Sequence, residues 1–188
     1  MSSTIASRPI DINKYDLVFA GAQKNLGIAG LTILIIKNKL LSDCNKELLP
    51  MFDYSAHAEE ASMLNTSPVF SWYVSGLIFD WITEQGGVEM MGKVNMEKSS
   101  LLYNYIDESS FYSNPVSKPY RSWMNIPFIL ARDDLENDFI QCAEDEGLFN
   151  LKGHRTVGGM RASVYNAMPI EGIKKLIAFM DDFAKLHE

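Results

Sequence analysis

Two short apolar runs with a lysine between them set the first constraint on this chain. Asp16 to Ala22 (DLVFAGA) and Leu31 to Lys37 (LTILIIK) bracket the segment Gln23-Lys24-Asn25-Leu26-Gly27. The second run is almost purely aliphatic and ends in charge, the pattern of a strand covered on both faces, as in the central sheet of an α/β protein. Gly27 and Gly30 supply a turn between the runs. Two strands alone make a marginal sheet, so this part is expected to need a partner or a further segment. The opening Met1-Ser-Ser-Thr-Ile-Ala-Ser-Arg-Pro has no capping start and no leading strand, and reads as the middle of a loop in a fold already under way.

From Pro68 to Glu84 the pattern changes period. Phe70, Tyr73, Val74, Leu77, Ile78 and Trp81 recur at three- and four-residue spacings, which predicts a helix with one apolar face. Gly86-Gly87 interrupts it, and a second helix over roughly Val88 to Ser109 is expected to connect two domains. Beyond it the spacing predicts a strand at Trp123 to Leu130, a helix at Leu135 to Glu146 and a short strand at Gly147 to Leu151. A strand at Arg161 to Tyr165 and a helix at Pro169 to His187 follow. Residues 88–188 thus form a small α+β domain, and residues 1–87 belong to another. Trp72, Trp81 and the methionines follow helical spacing and read as core.

The balance of charge narrows the function classes. A net charge of -7 argues against broad binding to nucleic acid or anionic lipid, which needs a positive face. No apolar run approaches the roughly 20 residues of a membrane-spanning helix. Cys44 and Cys142 lie far apart with no metal-ligand spacing, so no metal is expected. They read as reduced, buried or half-buried thiols of a cytoplasmic protein.

Three segments carry candidate chemistry. Lys24 follows an apolar strand and is flanked by Ala and Gly, which leaves room for a planar ligand. Desolvation there favours the neutral amine that imine chemistry needs, although a lysine at a strand end, taken alone, is a solvated surface group. Asn65-Thr66 before Ser-Pro reads alone as a turn or helix cap, with Thr66 or Ser67 capping. The window Lys152-Gly-His154-Arg155 to Gly158-Gly159-Met-Arg161 holds three permanent cations and a histidine and no acidic residue, directly after Glu144-Asp145-Glu146. A solvated basic loop is the plain reading, but arginine's fork suits carboxylate and phosphate, and the glycines permit close approach. His57 and His187 read as surface residues.

The runs YDLVFAGAQKNLGIAGLTILIIK, NTSPVFSWYVSG and LKGHRTVGGMRASVYNAMP, in this order, resemble the phosphoserine aminotransferases. The resemblance covers essentially the whole chain but only about the second half of the family's usual length. It implies a fold-type I architecture in which the end of the large pyridoxal-phosphate domain, two sheet strands plus helix, precedes a complete small domain. It further implies that Lys24 bonds the cofactor pyridoxal 5'-phosphate and moves the substrate proton, and that Gln23 contacts the cofactor phosphate. Asn65 and Thr66 would reach the cofactor phosphate of the other subunit of a homodimer. Arg161 would grip the substrate α-carboxylate, and His154 and Arg155 the distal phosphate or carboxylate. The implied reaction is amino transfer between O-phospho-L-serine with 2-oxoglutarate and 3-phosphohydroxypyruvate with L-glutamate, in serine and also pyridoxine biosynthesis.

The resemblance also implies that the family's glycine-rich phosphate loop, its ring-stacking aromatic and the aspartate facing the pyridine nitrogen lie in the half not matched here. Ile28 stands where the family usually has proline, and Ser67-Pro68-Val69 where it has Pro-Pro-Thr. Two rival readings follow. One is a truncated or split, non-catalytic chain that pairs with a separate N-terminal half. The other is a sister aminotransferase for unphosphorylated substrates, against which the cationic window speaks.

Overall fold

In the computed structural model, which describes residues 1–42 and 48–187, the chain divides into two units, Met1–Glu89 and Met90–Glu188. In the first, β1 (Leu17–Gly21) and β2 (Thr32–Ile36) pair antiparallel, with Leu17 opposite Ile36 and Gly21 opposite Thr32. Along β1 the burial alternates: Val18 and Ala20 are buried and Phe19 is 59% exposed. β2 departs from the expected strand buried on both faces, since Thr32 and Ile35 are exposed and Ile33, Leu34 and Ile36 only half-buried. A two-stranded ribbon has two open edges and cannot cover every side of an aliphatic strand. Lys37 and Asp16 close its end in an exposed ion pair of 2.7 Å.

After α1 (Asn38–Ser42) and α2 (Tyr54–Glu59), α3 spans Val69–Glu84. The helix forms where its spacing predicts, but of the predicted face only Val74, Ile78 and Trp81 are half-buried, and the fully buried positions lie elsewhere. Ser71, Ser75 and Ile82 are buried, while Phe70, Tyr73 and Leu77 are 69%, 62% and 50% exposed and Trp72 is also exposed. α3 is apolar on nearly every side, so spacing could not choose a face, and its small residues take the close packing position. The expected side-chain cap is also absent: Pro68 occupies the N-cap with no side-chain hydrogen bond. His57, read as a surface residue, is half-buried, with Nε2 at 3.4 Å from the carbonyl of Met51.

α4 (Gly87–Glu108) contains the boundary between the units in its first turn. Beyond it β3 (Tyr112–Ser113), β4 (Asn125–Leu130) and β5 (Met160–Ser163) form an antiparallel sheet in the order β3-β4-β5. Ile126, Phe128 and Leu130 alternate inward along β4. α5 (Glu136–Asp145) and α6 (Ile170–His187) contribute Phe139, Ala143, Ile173, Leu176, Met180 and Phe183 to the same core. Phe139 lies at its centre, with ring centroids 5.1 Å from Phe179 and Phe183 and 5.8 Å from Phe128. At the edge of this unit Arg121 clasps Asp107 through bonds of 2.7 and 2.8 Å and lies over the Tyr103 ring. The Arg121 bonds hold the Asp107 carboxyl at about 2, below its ordinary range, and burial pushes Tyr103 up to about 12.

The strand expected at Gly147 to Leu151 is not formed. Gly147 (φ 76) instead ends α5, with its own N–H bonded to the Glu144 carbonyl and the Leu148 N–H to that of Ala143, a paired C-terminal cap. Pairing begins later, where Leu151 accepts from the Arg161 amide and Lys152 bridges Met160. Cys142 is exposed, not buried, because α5 turns Phe139 and Ala143 inward and leaves it outside that stripe; Cys44 lies outside the described residues. Met91, Met124, Met160 and Met180 are core as expected, whereas Met63, Met90 and Met96 are exposed. His187 is half-buried and stacks on Phe183 at 4.4 Å.

Candidate functional site

β1 delivers the chain to a turn that is pinned from below. Ala22 and Leu26 are buried, and the Leu26 amide donates to the Ala22 carbonyl at 3.1 Å. Between them Asn25 is 4% exposed, and its Nδ2 donates to the carbonyls of Ser3 (2.9 Å) and Ile5 (3.2 Å). The Gly21 amide donates to Ser2 Oγ at 2.9 Å. On the far side of the turn, α3 presents Ser71, whose Oγ donates to the Ala29 carbonyl at 2.9 Å. Ser75 lies so near that a Cβ on Gly27 would meet its Oγ at 2.9 Å. Holding Asn25 inward turns Gln23 and Lys24 outward, and both side chains are exposed. This corrects the expected desolvation of Lys24: a turn borne by a two-stranded ribbon keeps its outer side chains in water.

Asn65 and Thr66 lie just before α3, and both are exposed; Asn65 Nδ2 donates to the Thr66 carbonyl at 3.2 Å. They share the first unit with Gln23 and Lys24, on a separate segment.

In the second unit the cationic window is a closed loop hung on β5. The Gly153 amide donates to the Gly159 carbonyl at 2.8 Å, and the amides of Val157 and Gly158 donate to the His154 carbonyl at 2.8 and 2.9 Å. Gly159 (φ 60) approaches β4 so closely that a Cβ there would meet the Phe128 carbonyl at 2.9 Å, so only glycine lets the loop seat. At the tip, His154 Nδ1 lies 2.7 Å from Thr156 Oγ1 and accepts from the Thr156 amide at 3.3 Å. That leaves the proton of a neutral ring on Nε2; Arg155, the next residue in the chain, is exposed. Arg161 stands on β5 opposite Pro127 and is half-buried; among the described residues its Nε is buried without a hydrogen-bond partner. An orphaned guanidinium N–H is a strong donor whose hydrogen bond is still to be made, and an anion's oxygen is the acceptor that suits it. The structure thus joins Gln23 with Lys24 on one turn and His154, Arg155 and Arg161 on one loop and strand, in different units.

Residues 1–176 match the family model described as aminotransferase class-V. The chain belongs to that family. Among similar proteins, the phosphoserine aminotransferase of Acinetobacter baumannii (strain ACICU) is 55% identical over 184 residues, 98% of this chain and 51% of that protein. The solved phosphoserine aminotransferase from Bacillus circulans subsp. alkalophilus superposes with a TM-score of 0.96 at 44% identity, covering 100% of this chain and 52% of that one. The PLP-bound phosphoserine aminotransferase from Trichomonas vaginalis gives 0.90 at 38% identity, over 96% and 52%. The class-V chain described here therefore spans about half the length of the relatives it matches.

Sequence reasoning missed the residues of this class-V chain that brace these segments. Ser71 and Ser75 carry no periodic signal beside the aromatic residues around them. Lys98 on α4 did leave one: it falls in register with Met91, Asn95 and Leu102, all buried, so a charged residue occupies an inward stripe.

Proposed function

We propose that this chain is the lysine-bearing part of a phosphoserine aminotransferase that uses pyridoxal 5'-phosphate. The observation that carries the reading is the Lys24 turn, in which Asn25 is buried and bonded so that the amine stands outward on a braced backbone. A primary amine so held suits an aldehyde, and the Gln23 amide beside it is a donor for a phosphate, so the residues present fit those two ends of the cofactor. When bound, the cofactor supplies the electron sink that makes the substrate Cα–H acidic. Lys24 Nζ then takes the Cα proton. Arg161 holds the α-carboxylate, with Nε as one of the donors, while His154 and Arg155 hold the distal group. One cationic lining serves both the phosphate of phosphoserine and the distal carboxylate of glutamate.

In this reading residues 1–87 end the large cofactor domain and residues 88–188 form the small domain. Asn65 and Thr66 bind the cofactor phosphate of the second subunit in a homodimer. The reaction is amino transfer between O-phospho-L-serine/2-oxoglutarate and 3-phosphohydroxypyruvate/L-glutamate in the cytoplasm, for serine synthesis and for the related phosphorylated substrate of pyridoxine synthesis. A second reading, a non-catalytic chain that requires a separate N-terminal half, is favoured by the exposed apolar residues of α3 and β1.

The test is to incubate the purified chain with pyridoxal phosphate, reduce with borohydride and map the pyridoxyl adduct by peptide mass spectrometry. Stoichiometric labelling of Lys24 alone is expected. Labelling scattered over the exposed lysines sinks the first reading for this chain and leaves the second.

A further inference from the structure

Lys98 is completely buried on α4, and among the described residues its hydrogen-bond partners are all backbone carbonyls. Its Nζ donates to Met168 at 2.9 Å, Tyr165 at 3.0 Å and Asn166 at 3.4 Å. One turn earlier Asn95, also fully buried, donates from Nδ2 to Asn166 Oδ1 at 2.8 Å. An ammonium has three N–H donors, and here each finds one acceptor, which offsets a burial that otherwise costs several kcal/mol. A methionine or leucine would fill the same space without that cost, so packing alone does not account for a lysine. Burial lowers its pKa only to about 8, and the group keeps its proton, and so its three donors, at neutral pH.

The three carbonyls belong to one short segment, the exit of β5 towards α6. The strand that precedes it bears Arg161, whose amide is tied to Leu151 at 2.7 Å and whose Nε, among the described residues, is buried and unpartnered. Downstream of Arg161, Val164 bonds the Met124 carbonyl at 2.8 Å, and the Tyr165 hydroxyl bonds Asn125 Oδ1 at 3.2 Å. Lys98 adds a third fixed point, gathering the carbonyls of Tyr165, Asn166 and Met168 onto a single charge.

We infer that Lys98 is a positioning residue for Arg161: its ammonium clamps the exit of β5 and so fixes the direction in which the guanidinium meets a carboxylate. The inference rests on the reading of Arg161 as the carboxylate-binding residue, and the experiment separates the two. In the full chain, the solvent exchange of the Arg161 Nε–H is followed by NMR without ligand, and L-glutamate binding is measured by calorimetry. Lys98→Ala is expected to speed that exchange about tenfold, by loosening the segment locally. Glutamate binding is expected to weaken about tenfold. n-Propylammonium, which replaces the lost stem and charge, should restore both, and 1-propanol neither. Leu102→Ala, on the same buried stripe, should lower the Tm without moving either readout.

Unchanged exchange in folded Lys98→Ala overturns the inference, as does equal rescue by propanol or an equal change in Leu102→Ala. If glutamate binding is absent, or indifferent to Arg161→Ala, the reading of Arg161 fails, and the exchange measurement still decides the role of Lys98.

Discussion

The two units use apolar residues in opposite ways. In the second, the large side chains face inward: Phe128 and Phe139 are fully buried, and Met160, Met180 and Phe183 close around them. In the first, many buried positions are small, Ala20, Ala22, Ser71 and Ser75 beside Val18, Leu26 and Ile82, while the large Phe19, Phe70, Tyr73 and Leu77 are half or more exposed. Similar helical spacing thus produced a covered face on α6 and an open one on α3. Apolar periodicity reports that a helix forms; whether its face is covered depends on what the rest of the chain brings to it. The two units also divide the candidate chemistry, with Lys24 on the open one and Arg161 on the closed one.

The comparison breaks most readily at Phe139. Phe139→Ala is expected to destabilise the second unit by about 3–5 kcal/mol, because it empties the point where four aromatic rings meet. Urea unfolding followed by amide exchange in residues 90–187 reads this directly; a loss below about 1 kcal/mol would mean that the core is not closed as described. A smaller effect is expected at the rim of the same unit. The Asp107 carboxyl is held at about 2 by Arg121, against an ordinary 3.8, so its stabilisation is present above about pH 4 and is lost as pH falls through about 2. Asp107→Asn should remove about 1–2 kcal/mol at neutral pH, discounted for a side chain 24% exposed, and should flatten the stability curve across that window. An acid titration that leaves wild type and variant parallel would remove the clasp from the account. The smallest effect belongs to the first unit. Phe70→Ala, at a residue 69% exposed, should change stability by less than about 0.5 kcal/mol. A cost near that of Phe139→Ala would show that the α3 face is covered in solution and would erase the contrast.

Much of the architecture is legible in the sequence. α3, α4 and α6 lie within a residue or two of their expected bounds, because their spacing is long and regular; β4 lies inside its expected span, and β5 begins one residue before its own and ends two residues short of it. The Gly147 to Leu151 strand was misread because its apolar ends mimic a strand, while Gly147 and Asn150 adopt left-handed backbone that no strand accepts. The cap predicted at Thr66 or Ser67 failed because Pro68 itself takes the N-cap position. Of the candidate site, the residue types and their grouping along the chain were legible; the outward turn of Lys24, the sealed loop of His154 and the orphaned Nε of Arg161 were not.

Local sequence determined what depends on near neighbours alone: helix periods, the glycine turns, and a cationic loop free of acids. The family likeness, too, was carried by three runs of residues that could be read without a structure. Tertiary structure decided what depends on distant partners. Which side of α3 is buried follows from the close approach of Ser71 and Ser75 to the turn at Gly27 to Gly30. Where Lys24 points follows from bonds between Asn25 and carbonyls some 20 residues away. The role of Lys98 follows from three carbonyls almost 70 residues downstream. Burial and hydrogen bonding are satisfied across space, and a pattern along the chain records only one partner of each such pair.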